Sequence, residues 1–89
     1  MDKELYIGVD VSKQTLDLAY YDGESIDWKK AHIKVSNNNA GFKKIGSWVA
    51  KVSKGFDIVL FCMEYTGLYT QNFRLWLEEK HYIYRMVEP

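Results

Sequence analysis

Polar and apolar residues alternate along the first stretch of the chain. In Leu5-Tyr6-Ile7-Gly8-Val9-Asp10, the residues Leu5, Ile7 and Val9 share one side and Tyr6, Gly8 and Asp10 the other. That period of two predicts a strand. Val11-Ser12-Lys13-Gln14 is polar enough to reverse the chain, and Thr15 to Tyr21 then reads as a second strand with Leu16, Leu18 and Tyr20 together. Asp22-Gly23 is a hairpin signal, because glycine accepts the positive φ such turns need. Ile26 to Val35 reads as a third strand, whose lysines (Lys29, Lys30, Lys34) suit a protected sheet edge.

The period then changes. Ser36-Asn37-Asn38-Asn39 is a cluster of helix-capping residues, and Phe42, Ile45, Trp48, Val49 and Val52 follow at three- and four-residue spacing. Lys54-Gly55 ends that helix. Asp57 to Glu64 is a fourth strand, apolar on both faces, as at the centre of a covered sheet. Thr66-Gly67 opens a second helix, with Thr66 placed to cap it and Phe73, Trp76, Leu77 and Lys80 along one side. Tyr82 to Val87 is a fifth strand, and Pro89 ends the chain.

The order is thus βββαβαβ, an α/β pattern with three antiparallel strands followed by two crossover units. Crossovers of this kind are right-handed in nearly all cases. A mixed five-stranded sheet of order 3-2-1-4-5 then makes the first and fourth strands parallel neighbours and puts both helices on one face. The opposite face is left bare, although its central strands carry apolar residues on both sides. The expectation is that a segment beyond Pro89, or a second copy, covers it.

Composition narrows the classes. The chain has 89 residues, enough for one domain over 1–89 and little else. At 47% hydrophobic and 27% charged residues it is globular rather than disordered. The longest apolar run, Ile58 to Met63, falls far short of the ~20 residues a bilayer span needs, so no membrane is expected. The charged start, Met1-Asp2-Lys3-Glu4, does not read as a signal peptide. Cys62 is the single cysteine; it sits in the apolar run, is expected to be buried, and suits a reducing cytoplasm. Twelve Lys and Arg balance twelve Asp and Glu, so charge gives no argument for binding DNA unaided.

Asp10 and Glu64 are the candidate chemistry. Each ends an otherwise apolar strand, and in the proposed order both emerge at the same sheet edge. Neighbouring strands lie ~4.8 Å apart, close enough for two carboxylates to share a divalent cation. Oxygen ligands with room for phosphate are what Mg²⁺ prefers. The plainer reading is that acids end strands because the chain is reaching water. Gly67 would let a ligand approach the start of the second helix, whose free N–H groups suit a phosphate. Lys13 could contact a backbone phosphate or be solvated. Ser12 has no histidine base near it in sequence and is not proposed as a nucleophile. His32 and His81 lack spaced partners and read as surface histidines. Trp28, Trp48 and Trp76 read as core or interface aromatics.

At this point the motifs resemble a known family. Ile7-Gly8-Val9-Asp10-Val11-Ser12-Lys13, followed by Leu16-Asp17-Leu18-Ala19, resembles the opening of the insertion-sequence 110 family of transposases, which includes the Piv-type DNA recombinases. Asn38-Asn39-Ala40-Gly41-Phe42 ahead of a helix with Trp48, Glu64-Tyr65-Thr66-Gly67-Leu68-Tyr69 and the ending Val87-Glu88-Pro89 follow in the family's order. The family often has Val-Asn-Pro at that ending.

The resemblance implies an RNase H-like, RuvC-like domain with a DEDD set of Mg²⁺- or Mn²⁺-binding carboxylates. Asp10 would be the first and Glu64 the second. The other two aspartates would lie beyond Pro89, as would a domain with a nucleophilic serine, and Glu88 matches neither aspartate. DNA and a guide RNA would be partners of the full-length protein, which is expected to oligomerise. The chain would then be the N-terminal part of a catalytic domain incomplete at its C-terminus, retaining no metal and inactive alone. Two other readings stand beside it. Half of an actin-like sugar kinase or ATPase would open with Asp-x-Gly-Thr, whereas Asp10 is followed by Val11-Ser12-Lys13. A non-catalytic oligomerisation module would use the bare face alone.

Overall fold

A computed structural model describes residues 3–21, 31–64 and 67–87. Its elements are β1 (Glu4–Val11), β2 (Thr15–Tyr21), β3 (His32–Ser36), α1 (Asn39–Val52), β4 (Ile58–Glu64), α2 (Leu68–Glu79) and β5 (Ile83–Val87). The five strands form one sheet of order β3-β2-β1-β4-β5. β1 pairs antiparallel with β2 and parallel with β4, and β5 joins β4 in parallel. This is the expected α/β topology.

Alternation decides which side of each strand is buried. Leu5, Ile7, Val9 and Val11 of β1, Leu16 and Leu18 of β2, and Phe61 and Met63 of β4 form one buried cluster with Phe42, Ile45 and Val49 of α1 and Phe73 and Leu77 of α2. Both helices therefore cover the same face. Their aromatic residues interlock: the Phe73 ring lies 5.7 Å from Phe42, 6.3 Å from Phe61 and 5.9 Å from Trp76. Each fully buried large side chain here contributes roughly 1.5–3 kcal/mol.

Local details set how α1 meets the sheet. Asn38 caps it, its side chain accepting from the Gly41 N–H at 3.0 Å. A Cβ at Gly41 would lie 1.7 Å from the Ser36 carbonyl oxygen, so only glycine lets the first turn of α1 pass this close to the end of β3.

Four expectations are adjusted. The third strand begins at His32, with Ala31 in helical backbone before it; residues 22–30, including the Asp22-Gly23 turn, Trp28, Lys29 and Lys30, lie outside the described residues. β3 is nevertheless a sheet edge, and it carries Lys34. Gly67, not Thr66, takes the N-cap position of α2. Cys62 is half-buried rather than buried, because β4 turns it to the side that neither α1 nor α2 covers. Lys80 is exposed at the C-cap of α2 rather than on its packed side. Among the described residues no helix is long and apolar enough to cross a membrane.

Candidate functional site

The strand registers arrange the side chains of the open face in rows running across the strands. Asp10 pairs with Asp17, and Asp17 with Lys34. Val9 pairs with Met63 in the parallel ladder, so the next residues, Asp10 and Glu64, stand side by side. Glu64 in turn pairs with Val87. The outermost row is thus Lys34, Asp17, Asp10, Glu64, Val87. The next row inward is His32, Ala19, Gly8, Cys62, Arg85. Beyond it lie Tyr21, Tyr6, Leu60 and Ile83.

Small side chains in the second row make a groove. Gly8, Ala19 and Cys62 floor an open depression of about 590 Å³, with Asp10, Asp17 and Glu64 along one rim and His32 at one end. Gly8 is not forced by backbone geometry, since an added Cβ would come no closer than 4.0 Å to a neighbouring atom. Its missing side chain instead deepens the floor beside Asp10.

Three carboxylates on adjacent strands repel one another, because like charges directly opposite in a ladder are destabilising. One of them has found a partner. Asp17 Oδ1 lies 3.1 Å from His32 Nε2, with both side chains partly exposed. Among the described residues, Asp10 and Glu64 have no hydrogen-bonded or ionic partner. Sequence reading placed Asp10 and Glu64 in this region but missed Asp17 and His32 as neighbours. The alternation in Leu16-Asp17-Leu18 put Asp17 on the open face; what was missing was the β1–β2 register.

The other expected contacts are placed as follows. Gly67 sits at the start of α2 with φ 68°, a backbone conformation that disfavours other residues, and no atom lies within 4 Å of where its Cβ would be. Lys13 is exposed in the turn after β1. Thr66 lies outside the described residues. The Ser12 hydroxyl is engaged within that turn, 3.0 Å from the Thr15 carbonyl oxygen and accepting from the Thr15 N–H at 3.1 Å. His81 is exposed in the turn after α2 with φ 61°.

The donor set can be tested against a divalent cation. Among the described residues no group of three or more His, Cys, Asp or Glu side chains is placed to hold a metal. What the chain offers is a pair, Asp10 and Glu64, on strands ~4.8 Å apart. Mg²⁺ is commonly held by one or two carboxylates, with water and substrate phosphate completing its shell. Two carboxylates supply at most part of such a coordination sphere.

No protein-family model matches the chain, and no curated protein matches it.

Proposed function

We propose that the chain is the N-terminal part of an RNase H-like, RuvC-like catalytic domain of a cytoplasmic DNA transposase or site-specific recombinase, similar to the insertion-sequence 110 family. The observation that carries this reading is the placement of Asp10 and Glu64. They stand side by side near the ends of the parallel pair β1 and β4, above a groove on the face that neither α1 nor α2 covers. The ordered motifs that resemble the family add to it.

In this reading Asp10 and Glu64 hold Mg²⁺ or Mn²⁺ together with carboxylates from a continuation of the chain. When bound, such an ion polarises a phosphodiester and helps form the nucleophile that breaks it. The chain's own residues do the positioning. Lys13, three residues after Asp10, and the α2 start at Gly67, three residues after Glu64, would serve phosphate oxygens. The groove admits the backbone of a strand because Gly8, Ala19 and Cys62 stay low. The balanced charge of the chain leaves DNA affinity to other parts of the protein, to a guide RNA, or to oligomerisation.

The test uses the chain extended along its own reading frame. Asp10→Ala and Glu64→Ala should each abolish Mg²⁺-dependent DNA cleavage while leaving the melting temperature close to wild type. Cleavage that survives either substitution overturns the assignment.

A second reading is favoured by the apolar residues of the open face. Tyr6, Tyr21, Ile83 and Val87 expose 37–56% of their surface on the open face, which suits a non-catalytic oligomerisation module. That reading requires self-association to be indifferent to Asp10 and Glu64, and DNA cleavage to be absent from the extended chain.

A further inference from the structure

Three asparagines in a row precede α1, and they do different work. Asn38 is the helix cap. Asn37 points elsewhere. Its side-chain amide donates to the Ser12 carbonyl oxygen and to the Tyr69 carbonyl oxygen, both at 2.9 Å. Its backbone N–H donates to the Gln14 carbonyl oxygen, also at 2.9 Å. Ser12 and Gln14 belong to the turn that follows Asp10, and Tyr69 to the first turn of α2, which follows Glu64.

We infer that Asn37 is a positioning residue that clamps the two segments leaving the carboxylate site, and so sets the width of the site's mouth. The ladder between β1 and β4 already spaces Asp10 and Glu64. Its last pair is Val9 with Met63, one residue before the two acids. Among the described residues no backbone hydrogen bond joins the turn at 12–14 to residues 67–69 at the start of α2. Asn37 supplies a side-chain bridge between the two. The segments it joins carry Lys13 and Gly67, the groups that the proposed function assigns to phosphate.

The chemistry explains the residue type. Two carbonyl acceptors need two N–H donors from one short side chain. An asparagine amide has both; a serine hydroxyl has one, and an aspartate carboxylate has none. The arrangement also carries a cost. The Asn37 Oδ1 atom is buried and has no partner among the described residues. Buried polar atoms in native folds are nearly always paired, so an orphaned acceptor beside two satisfied donors marks a residue kept for what it donates. The inference rests on the reading of Asp10 and Glu64 as a cation site, but its geometric content is separate from that reading.

The experiment has two arms. Nitroxide labels at Lys13→Cys and Leu68→Cys, in a Cys62→Ser background, report the mouth; Lys13 is exposed and Leu68 is 82% exposed. Labels at Lys34→Cys and Arg85→Cys report the sheet. Asn37→Ala and the near-isosteric Asn37→Asp should widen the first distance distribution by about 1 Å or more, the scale of misplacement that matters at a reactive centre. They should leave the second unchanged. An unchanged first distribution, or equal widening of both, overturns the clamp. The second arm follows line broadening by Mn²⁺ at Asp10 and Glu64 in the chain extended along its own reading frame, where both variants should bind about ten-fold more weakly. If wild type shows no such broadening, the cation reading fails and the clamp stands or falls on the label distances. If neither variant folds, the wild-type Asn37 side-chain amide decides. Hydrogen exchange slowed about ten-fold or more relative to a free amide supports the clamp, and free-amide exchange overturns it.

Discussion

The two faces of the sheet are built from the same strands yet obey different rules. On the helix side, every second residue of β1 is apolar and buried, and the aromatic residues of α1, α2, β4 and β5 interlock over them. On the open side the same strands present Glu4, Tyr6, Gly8 and Asp10, in rows that mix acids, small residues and tyrosines. The first face is arranged for close packing. The second concentrates like charge on its outermost row and leaves a groove beneath. Proteins tolerate such costs where something must bind.

The largest expected difference lies in the core. Phe73→Ala removes a fully buried ring that contacts Phe42, Phe61 and Trp76. It should cost about 3–5 kcal/mol, enough to leave so small a domain largely unfolded in a urea titration at 25 °C. Tyr21→Ala on the open face, 45% exposed, should cost under about 1 kcal/mol in the same titration. Equal losses would mean that the open face is packed in solution.

The glycines repeat the contrast on a smaller scale. Gly41→Ala drives a Cβ to 1.7 Å from the Ser36 carbonyl oxygen and must push α1 off β3. It should cost about 1–3 kcal/mol. Gly8→Ala meets nothing closer than 4.0 Å and should stay within about 0.5 kcal/mol of wild type. Because that methyl group fills the groove floor beside Asp10, it should still weaken Mn²⁺ binding. A Gly8 variant that loses stability but keeps the ion would break the assignment of the groove.

The acids should behave in the opposite sense to core residues. Asp10 faces Asp17 directly across the ladder. Asp10→Asn relieves that repulsion and should raise stability by about 0.2–1 kcal/mol at low ionic strength, a gain that salt erases. The same substitution should remove Mn²⁺ broadening at Glu64. A destabilised Asp10→Asn variant would show that Asp10 is held by contacts rather than held ready.

Much of this architecture was legible in the chain. The alternation in Leu5 to Asp10 and the capping cluster before Phe42 gave the elements, and for a sheet of order 3-2-1-4-5 the crossover rule put both helices on one face. Asp10 and Glu64 followed because strand ends in a parallel pair must share an edge. The rest depended on pairings that alternation does not encode. Asp17 and His32 met only through the registers of β2 with β1 and β3. Asn37 looked like one more capping residue, since a side chain bridging two distant turns leaves no local pattern. The start of β3 was misplaced because Ala31 fits an extended run as well as the helical backbone it adopts.

The smallest predicted effect separates the faces by pH. Tyr84 of β5 donates to the Glu78 carboxylate of α2, and Tyr6 of β1 donates to the Glu4 carboxylate two residues away in its own strand. Both phenols are held above the usual value of 10.0, mainly by these hydrogen bonds. A raised value in the folded state gives stability that is complete below the unfolded value and is lost as pH rises through the folded one. The difference is that the Tyr84 bond joins a strand to a helix, whereas the Tyr6 bond is local and can persist in the unfolded chain. Tyr84→Phe should therefore lower the urea midpoint slightly at pH 7, and the gap from wild type should close above pH 10. Tyr6→Phe should leave the midpoint unchanged at both pH values. A pH-dependent gap for Tyr6→Phe, or none for Tyr84→Phe, would show that the open face is more tightly held than the covered one at its margin.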